Sequence, residues 1–483
     1  MPQIETIFNT QKFTKKDRDL IAQAYDFAKI AHAGQLRKSG EPYFVHVFTT
    51  AKNLAEIGMN STIIAAGFLH DVLEDTEIKE DEMRDIFGDE ITNLVLSVTK
   101  LGKVKYTGIQ RNVENLRKFF VSIAEDMRVI VIKLADRLHN IETLEHVRPD
   151  KQKRIALETL EVYAPLADRL SMGKLKGRLE DAAFPYAYPK EYENIKTLRE
   201  SRTDAAMPEL LKVENNLKKI FKEYNLKDVK VDHREKHLYS LWRKLEKYKM
   251  DIAHVYDIIA MRVIVKNIEE CYLVLGLIHG TYKPLPGRIK DYIALPKPNG
   301  YRSLHTTIIN ENGAIIEIQI RTIEMHQEAE YGLAAHFAYK EDLNGNDERY
   351  AWIKELRDAQ QDETNIDNFF KNLKADFFHD RVFAFTPKGE IINLPEEASV
   401  LDFAFNVHSE VGMHAEAGEV NGKYAKLDHK LKNGDVVKIM VNKKINPSSK
   451  WLSFVKSSIA RKHIEKYLKQ NSLLSRLLSF NQK

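Results

Sequence analysis

The chain has 483 residues, of which 43% are hydrophobic and 30% charged, and 74 basic against 70 acidic residues leave a formal net charge of +4. At roughly 150 residues per domain, this length predicts about three domains. The near balance of charge gives no general sign of a nucleic-acid binder, no apolar run is long enough to span a bilayer, and the single Cys271 excludes an internal disulfide framework.

The amino-terminal segment MPQIETIFNTQKFTKKDRDL lacks the charged start and the apolar stretch of a secretory signal, which favours a cytoplasmic protein. From Lys16 to about Tyr192, apolar residues recur three and four positions apart, and alternating segments are almost absent. This periodicity predicts an all-α domain. Residues 194–224 continue as a charged helix.

The pattern then changes. Segments 258–265, 305–310 and 314–320 are β-branched runs, separated by helical stretches or by Gly and Pro. These runs predict a mixed α/β domain over about residues 200–340. The following segment, 339–375, is polar and helical and predicts a connector.

A third pattern begins at Asp380. Two short strands around Pro387–Gly389 predict a hairpin, VLDFAFNVH predicts a short helix, and further strands are broken at Asn421-Gly422 and Asn433-Gly434. We therefore expect a small, mostly β domain. The residues beyond Asn446 have a helical pattern but are few for an independent core.

Candidate chemistry begins in AAGFLHDVLEDT, residues 65–76, where Glu74 and Asp75 follow the adjacent His70 and Asp71 by four positions. On one helix, residues four apart share a face, so His70 would lie over Glu74 and Asp71 over Asp75. Burying carboxylates is costly unless a metal ion or a hydrogen-bond partner compensates. The segment therefore predicts a cation site.

Two more segments of the helical domain extend this set. PYFVH ends at His46, and KLADRLHN contains Asp136 and Asn140 at helical spacing. The candidate ligands are His46, His70, Asp71 and Asp136. Mixed nitrogen and oxygen ligands suit Mn²⁺, Fe²⁺ or Zn²⁺ better than the oxygen shell of Mg²⁺ or Ca²⁺. Such an ion lowers the pKa of bound water, whose proton either Glu74 or Asp75 can accept.

The order His, His-Asp, Asp is that of the HD phosphohydrolase superfamily. AHAGQLRKSGEPYFVH, GFLHDVLEDT, KLADRLHN and YAPLADRL, in this order, resemble the hydrolase domain of the long RelA/SpoT homologues, which remove the 3′-pyrophosphate from (p)ppGpp. The resemblance implies Mn²⁺ at the four ligands, with Glu74 and Asp75 managing the nucleophilic water. The residues it implies for the guanine nucleotide are Arg37, Lys38, Ser39, Asn140 and Thr143.

A second candidate site lies in AIIEIQIRT, where the period of two places Glu317, Gln319 and Arg321 on one strand face and the isoleucines on the other. Asp257 precedes the strand IIAMRVIV. Asp257 and Glu317 could therefore reach one Mg²⁺ from neighbouring strands, as hard oxygen ligands for a nucleotide-bound ion.

The surrounding motifs, HREKHLYSLWRK, YDIIAMRVIV, KPLPGRIKDYIALPKPNGYRSLHTT and IIEIQIRTIEMHQEAEYGLAAH, resemble the (p)ppGpp synthetase domain of the same family, which transfers pyrophosphate from ATP to the 3′-hydroxyl of GDP or GTP. The resemblance implies Mg²⁺ at Asp257, and at Glu317 either Mg²⁺ binding or activation of the 3′-hydroxyl. It implies ATP binding by Arg234, Lys236, Ser240 and Lys244. Around the acceptor it implies Tyr301 stacked on guanine, with Lys297, Asn299, His305 and Gln319.

Arg288 and Lys290 belong to RIKD, which matches the RxKD form of bifunctional family members. Two departures lie beside Arg234: His233 and Glu235 stand where the family usually has Gly and Pro. Glu235 places a negative charge near the expected triphosphate, so weak or altered synthesis is an open alternative.

The third domain resembles a TGS domain, a β-grasp module. In the family it contacts the acceptor end of uncharged tRNA on the ribosome or, in some members, acyl carrier protein. His408 matches the family histidine that meets the tRNA end. The segment after the TGS domain resembles the start of the family's helical domain, and the zinc-finger and ACT regions do not follow.

The sequence thus predicts a multidomain α+β protein. The expected domains are the hydrolase at 1–195, the synthetase at 196–340, the helical connector at 341–379, the TGS domain at 380–442 and the start of a helical domain at 443–483. The leading hypothesis is a bifunctional enzyme that makes and destroys (p)ppGpp, with reciprocal control of the two sites. The alternatives are an HD hydrolase with a weak or degenerate synthetase, and a tRNA- or ribosome-binding regulator with vestigial catalytic domains.

Overall fold

The computed structural model describes residues 2–102, 126–252, 255–297, 299–332, 381–432 and 434–480. The chain divides into two compact units, Met1–Arg357 and Asp358–Lys483. The predicted connector at 341–379 lies outside the described residues. None of the described helices has both the length and the apolar character that crossing a bilayer requires.

The first unit begins with the helical domain that the periodicity predicts. Its helices are α1 (Glu5–Phe8), α2 (Lys15–Ala31), α3 (Tyr43–Glu56), α4 (Ser61–Leu69), α5 (Val72–Asp75), α6 (Glu80–Gly102), α7 (Met127–Glu142), α8 (Pro149–Glu158), α9 (Ala164–Arg169) and α10 (Gly173–Ala187). A π-helical turn at Thr159–Tyr163 joins α8 to α9.

Helix α4 is the centre of this domain. Its sequence, STIIAAGFL, is apolar on almost every side, and all of its residues except Thr62 are buried. Helices α2, α3, α6 and α7 pack around it. A helix that is hydrophobic all round belongs in a core, so the end of α4 carries the next residue, His70, into the interior of the domain.

The segment around His70 is not one continuous helix, which corrects the sequence prediction. Helix α4 ends at Leu69, and α5 is a separate single turn. Nδ1 of His70 donates to the carbonyl oxygen of Gly67, the acceptor that a continuing helix would offer to the backbone of Asp71. The two residue pairs therefore do not share one helix face, and tertiary contacts decide where each side chain lies.

The second part of the first unit is the predicted mixed α/β domain. Its helices are α11 (Pro189–Glu223), α12 (Leu238–Lys247), α13 (Ile268–Thr281) and α14 (Ile323–Tyr331). Its strands are β1 (Lys230–Glu235), β2 (Ile259–Val265), β3 (Lys283–Pro284), β4 (Lys290–Asp291), β5 (Leu304–Ile309) and β6 (Ile315–Thr322). The described strands form one sheet in the order β1-β2-β6-β5-β3, and β4 pairs with β5.

The two faces of this sheet differ in polarity. Ile316, Ile318 and Ile320 of β6 pack into a core with apolar residues of α11 and α13. Strands β2 and β6 are parallel, with Ala260 opposite Glu317. Because side chains alternate along a strand, Glu317 and its neighbours at every second position lie on the other face, as predicted.

The second unit contains the predicted hairpin and short helix. Its elements are β7 (Arg381–Phe385), β8 (Ile391–Pro395), α15 (Val400–Val407), α16 (Ser409–Met413), β9 (Ala415–Val420), β10 (Lys423–Ala425), β11 (Val437–Val441) and α17 (Ser458–Phe480). Strands β7 and β8 pair antiparallel, and β9 lies between β10 and β11. Asn421 and Gly422 have φ of +52° and +79°, which makes the predicted turn between β9 and β10. Asn433 lies outside the described residues.

Candidate active sites

Three buried side chains from separate helices converge in the helical domain. They are His46 of α3, His70 after α4 and Asp136 of α7, and their ligand atoms all lie within 4.8 Å of one another. Asp71 joins them, because its Oδ2 lies 3.4 Å from Nε2 of His46 and 3.2 Å from Nε2 of His70. The four predicted metal ligands therefore lie together, although three separate sequence segments supply them.

The hydrogen bonding of His70 leaves one ring nitrogen for a cation. Nδ1 donates to Gly67 over 2.8 Å, and Nε2 is buried without a hydrogen-bond partner. Nε2 faces Oδ2 of Asp71 at 3.2 Å, so positive charge is favoured between the two atoms, either as a proton on Nε2 or as a bound cation. Burial would lower the pKa of His70, but Asp71 and then Asp136 outweigh it and raise this pKa to about 9. The donor set and its electrostatics fit a divalent metal ion.

His139, which the sequence reasoning did not select, orients His46. The Nδ1 atoms of the two rings are 2.8 Å apart. Burial, and then His46 and Arg37, lower the pKa of His139 to about 3, so the His139 ring is neutral. Its Nδ1 can then accept a hydrogen bond from Nδ1 of His46, which leaves Nε2 of His46 as the ligand atom. His139 precedes Asn140 in KLADRLHN and lies one helical turn after Asp136, which is the signal that could have identified it.

Asp136 is held by two neighbours on its own helix. Nζ of Lys133 lies 2.7 Å from Oδ2, and Nδ2 of Asn140 donates to Oδ1. Burial would raise the pKa of Asp136, but Lys133 and the histidines hold this pKa well below its usual range. Asp136 is therefore a carboxylate whose orientation is set before any ligand binds. Lys133 was not selected from the sequence, although it lies three residues before Asp136.

Three of the predicted nucleotide-binding residues lie together beside this cluster. Arg37 donates to Oδ1 of Asn140 over 2.6 Å and to the hydroxyl of Thr143 over 3.3 Å. The neighbours of Arg37 lie further out: Lys38 is exposed, and the Ser39 hydroxyl lies 3.4 Å from the carboxylate of Glu41. The structure thus places Arg37 against helix α7 and leaves Lys38 in solvent.

Glu74 and Asp75 are both exposed on the single turn α5. Oδ2 of Asp75 accepts a hydrogen bond of 2.7 Å from the hydroxyl of Tyr43, and the same hydroxyl lies 2.8 Å from Oδ2 of Asp71. Asp75 is thereby linked to the metal cluster through one side chain. Tyr43 lies three residues before His46 and was not selected from the sequence.

We expect the variant His139→Ala to weaken Mn²⁺ binding by about 10- to 100-fold, because partners of metal-binding histidines fix ring orientation and tautomer. Isothermal titration calorimetry of the protein with Mn²⁺ measures the effect. His146→Ala is the matched control, because His146 is an exposed histidine just after α7. Equal affinities for the wild type and His139→Ala would show that His139 does not orient His46.

The second candidate site lies on the polar face of the sheet. Asp257 precedes β2 and accepts ion pairs from Lys236 and Lys244, with N–O distances of 2.8 Å and 2.7 Å. Burial would raise the pKa of Asp257, but the two lysines hold this pKa well below its usual range. Two ammonium groups around one carboxylate form a cluster suited to a polyphosphate and its cation.

Glu317 lies close to Asp257 on the neighbouring strand. Burial and the charge of Asp257 both raise the pKa of Glu317. The hydrogen bond with His305 outweighs them, so the pKa of Glu317 is lowered overall. Nε2 of Gln319 donates to Oε1 of Glu317 over 3.1 Å, while Oε1 of Gln319 is buried without a hydrogen-bond partner. Arg321, on the same strand face, is 1% exposed and pairs with Glu330 at 3.0 Å.

Tyr301, His305 and Glu317 form a chain of contacts across this face. The hydroxyl of Tyr301 lies 2.9 Å from Nε2 of His305, and Nδ1 of His305 lies 3.5 Å from Oε1 of Glu317. Burial raises the pKa of Tyr301, but His305, Arg321 and Lys297 outweigh it and lower this pKa to about 7. Nζ of Lys297 lies 5.0 Å from the centre of the Tyr301 ring. Lys290, on β4, pairs with His305 of β5, and Arg288 lies over the ring of Tyr256.

Two predicted nucleotide-binding residues instead contact the helical domain. The hydroxyl of Ser240 donates to Glu180 of α10 over 2.6 Å. Nδ2 of Asn299 donates to the carbonyl oxygen of Asp168 over 3.2 Å, and Ser171 donates to the carbonyl oxygen of Asn299. Both residues therefore join the two domains of the first unit.

Strand alternation separates Glu235 from Arg234 and Lys236. His233 and Glu235 point to the face covered by α11, where Nε2 of His233 lies 2.6 Å from Glu214. On that same helix, Arg199 lies 3.7 Å from the carboxylate of Glu235. Arg234 points to the opposite face, and Lys236 reaches Asp257. The two departures from the family pattern are thus accommodated by α11.

In the second unit, His408 is exposed at the amino terminus of α16, where its Nδ1 accepts a hydrogen bond from the backbone of Glu410 over 3.2 Å.

Sequence models of three families match the chain in order. An HD domain matches residues 24–173, a region found in RelA/SpoT proteins matches residues 233–344, and a TGS domain matches residues 382–441. These matches cover the metal cluster, the polar sheet face and the small β domain, respectively. They define the class of the protein as an HD-domain and RelA/SpoT-domain protein with a TGS module.

Curated relatives narrow this class. Guanosine-3′,5′-bis(diphosphate) 3′-pyrophosphohydrolase of Aquifex aeolicus is 46% identical over 93% of this chain and 64% of its own length. The GTP pyrophosphokinase of Myxococcus xanthus is 43% identical over 94% of this chain and 61% of its own length. The bifunctional (p)ppGpp synthase/hydrolase SpoT of Escherichia coli K12 is 41% identical over 93% of this chain and 64% of its own length. The chain thus combines an HD domain, a RelA/SpoT region and a TGS domain, and it is 41 to 46% identical to these three relatives over 93 to 94% of its length.

The chain spans 61 to 64% of the length of these three relatives. Among solved structures, small alarmone synthetase 1 of Bacillus subtilis bound to pppGpp is 18% identical, covering 34% of this chain and 98% of its own, with a TM-score of 0.25. The assignment of the three domains rests on the sequence matches.

Proposed function

We propose that this chain is a bifunctional alarmone enzyme. One site hydrolyses the 3′-pyrophosphate of (p)ppGpp to leave GDP or GTP, and the other transfers pyrophosphate from ATP to the 3′-hydroxyl of GDP or GTP. The observation that carries the proposal is the coexistence, in one compact unit, of the His46–His70–Asp136 cluster and the Asp257–Glu317 pair with its two lysines. The relatives' names cover both activities.

In the hydrolase site, His46, His70, Asp71 and Asp136 would hold the divalent ion, which lowers the pKa of a water and offsets phosphate charge. An oxygen–phosphorus bond forms from the water, and the bond from phosphorus to the ribose 3′-oxygen breaks. A carboxylate of α5 takes the water proton, which is then available to the departing 3′-oxygen, so the net reaction consumes one water. Arg37, Asn140 and Thr143 would bind the guanine nucleotide, with Lys38 and Ser39 at the entrance.

We infer that Mn²⁺ is the preferred ion of this site. Two imidazole nitrogens and two carboxylates make a mixed donor set, whereas Mg²⁺ favours oxygen ligands and keeps much of its water shell. Mg²⁺ belongs instead to the second site, where Asp257 and Glu317 offer carboxylate oxygens beside nucleotide phosphates.

In the synthetase site, Lys236, Lys244 and Arg234 would neutralise the triphosphate of ATP, with Ser240 on the same helix as Lys244. The acceptor 3′-oxygen forms a bond to the β-phosphorus, the bond to the α-phosphate oxygen breaks, and AMP leaves. The hydroxyl proton passes to Glu317 or to solvent. Tyr301 would stack on guanine, with Lys297, His305, Gln319 and the RIKD residues Arg288 and Lys290 around the acceptor.

Glu235→Gln should change the rate of ppGpp synthesis by less than about threefold, because its carboxylate faces α11 and a screened charge on the far side of a strand acts weakly. Lys236 is the next residue, and its side chain reaches Asp257 on the opposite face. Lys236→Gln should lower the rate by about 100-fold because it loses a phosphate-neutralising charge. Initial rates with ATP and GDP under Mg²⁺ measure both. A tenfold faster Glu235→Gln variant would instead favour the weakened-synthetase alternative.

The proposal is tested by incubating the purified chain with ATP and GDP under Mg²⁺, and separately with ppGpp under Mn²⁺ or Mg²⁺. Anion-exchange chromatography resolves AMP and ppGpp in the first reaction, and GDP and pyrophosphate in the second. We expect both product pairs, with faster hydrolysis under Mn²⁺. An absence of ppGpp synthesis would reduce the proposal to a hydrolase, and an absence of both activities would leave the vestigial regulator.

For the TGS domain, we infer a binding role toward the acceptor end of uncharged tRNA on the ribosome, or toward acyl carrier protein. The exposed His408 supports this inference, because an exposed imidazole can stack on a base or donate to a phosphate. Gel-shift assays with uncharged tRNA, using the wild type and His408→Ala, distinguish a tRNA contact from a protein partner.

A further inference from the structure

Three side chains of the segment AHAGQLRKSGEPYFVH have no role in the mechanism above: His32, Gln35 and Tyr43. They come from the end of α2, the loop after it and the start of α3. All three lie around Asp75. The sequence leaves both Glu74 and Asp75 as candidate acceptors of the water proton.

Their contacts form a closed loop. Nε2 of Gln35 donates to the backbone carbonyl oxygen of Asp75 over 2.6 Å, and Oε1 of Gln35 lies 2.8 Å from Nδ1 of His32, which donates to it. The rings of His32 and Tyr43 are stacked, with centres 4.9 Å apart and planes at 25°. The hydroxyl of Tyr43 closes the loop on the side chain of Asp75, 2.7 Å away. Backbone and side chain of Asp75 are therefore held by the same three residues.

The Tyr43 hydroxyl also connects Asp75 to the metal cluster. It lies 2.8 Å from Oδ2 of Asp71, the oxygen that faces the two histidines. A tyrosine hydroxyl has an ordinary pKa of about 10 and two carboxylate oxygens can only accept, so the hydroxyl of Tyr43 is the donor in this arrangement. One donor between two carboxylate oxygens sets the distance from Asp75 to a metal ligand.

The other ring nitrogen of His32 is a second sign that this side chain has an orienting role. His32 is 2% exposed, and its Nε2 is buried without a hydrogen-bond partner. Leaving Nε2 of His32 without a partner lowers the stability of the fold. Such a loss is tolerated most readily where the side chain orients a functional group, and His32 keeps its bond to Gln35 and its stacking on Tyr43.

We propose that Tyr43, Gln35 and His32 are positioning residues that hold Asp75, rather than Glu74, as the carboxylate that takes the proton from the nucleophilic water. This inference rests on the proposed hydrolase function and names the proton acceptor within it. Asp75 touches the reacting water, whereas Tyr43, Gln35 and His32 act only through Asp75.

A double-mutant cycle tests the inference. Tyr43→Phe removes the hydroxyl and keeps the ring that stacks on His32, and we expect kcat for ppGpp hydrolysis to fall about 10- to 100-fold, in the range of lost orienting partners. The loss should not add to that of Asp75→Asn, because both changes disable the same group, but it should multiply with that of Glu74→Gln.

Gln35→Met separates positioning of Asp75 from metal binding, because among the described contacts the side chain of Gln35 bonds to Asp75 and His32 and not to a metal ligand. This variant should lower kcat, again without adding to Asp75→Asn, while its Mn²⁺ affinity measured by calorimetry stays within about twofold of the wild type. Tyr25→Phe is the matched control, because Tyr25 is a part-buried tyrosine of α2 whose hydroxyl bonds to the backbone of Pro2. Thermal unfolding followed by circular dichroism checks that each variant is folded.

Losses of Tyr43→Phe and Asp75→Asn that multiply, in folded variants of an active wild type, would overturn the inference alone. So would a cycle in which Tyr43→Phe fails to add to Glu74→Gln. A wild type without hydrolysis would overturn the proposed hydrolase function, and the inference would fall with it.

Discussion

Asp71→Ala is expected to lower ppGpp hydrolysis by about 1,000-fold or more while ppGpp synthesis stays within about twofold of the wild type. Oδ2 of Asp71 lies within 3.4 Å of Nε2 of both His46 and His70, so the change removes one ligand of the metal cluster and the charge that opposes the cation. It also removes one acceptor of the Tyr43 hydroxyl. The rate of ppGpp hydrolysis under Mn²⁺ measures the loss of activity, and calorimetric titration with Mn²⁺ measures the loss of metal affinity.

Asp85→Ala is the matched control for this variant, because Asp85 is an exposed carboxylate of α6 in the same domain. It should leave both hydrolysis and Mn²⁺ affinity unchanged. An Asp71→Ala variant that still hydrolyses ppGpp at a tenth of the wild-type rate or faster would contradict the ligand assignment. A variant that loses synthesis as well would indicate a general loss of structure instead of a loss of metal.

Glu317→Gln is expected to lower ppGpp synthesis by about 100- to 1,000-fold and to leave hydrolysis within about twofold of the wild type. The substitution keeps the size of the side chain and its reach toward His305 and Gln319, but removes the negative charge beside Asp257. A cation shared by the two carboxylates would lose one charged ligand. Initial rates of AMP release from ATP, with GDP present under Mg²⁺, measure the effect.

Glu311→Gln, an exposed position in the turn between β5 and β6, is the control for Glu317→Gln. Its rate should equal that of the wild type. Raising the Mg²⁺ concentration should recover part of the activity of Glu317→Gln if the lost charge belonged to a metal ligand. A fully active Glu317→Gln variant would show that Glu317 neither binds Mg²⁺ nor activates the 3′-hydroxyl.

Direct hydrogen bonds join the helical domain to the mixed domain of the first unit. Glu180 of α10 accepts a hydrogen bond from Ser240 of α12. Asn299 donates to the backbone of Asp168 in α9 and accepts from Ser171 in the turn before α10. Ser240 and Asn299 are residues that the sequence placed beside ATP and beside the acceptor nucleotide. The contacts give a physical basis for reciprocal control of the two activities, which stays a prediction.

Much of the fold and of both candidate sites could be predicted from the sequence because the relevant signals are local. Periods of 3.6 and 2 distinguish the helical domain from the mixed domain and place Glu317 and Gln319 on the face opposite the isoleucines. The adjacency of His70 and Asp71, with His46 and Asp136 in recognisable motifs, predicted a metal-ligand set, and the structure brings these four side chains together. Pro387–Gly389 predicted the β7–β8 hairpin for the same reason, since turn residues act on their own backbone.

Only the tertiary structure decided which side chains support these sites. His139 lies against His46 and Tyr43 against Asp75, from segments 93 and 32 residues apart. The hydrogen bond from His70 to Gly67 ends α4 where the sequence pattern favours a continuing helix. Glu235, which looked harmful beside Arg234, faces α11 once β1 is part of a sheet. Periodicity reports which face of its own element a residue occupies, but the partner on that face depends on how distant elements pack, and no local pattern carries that information.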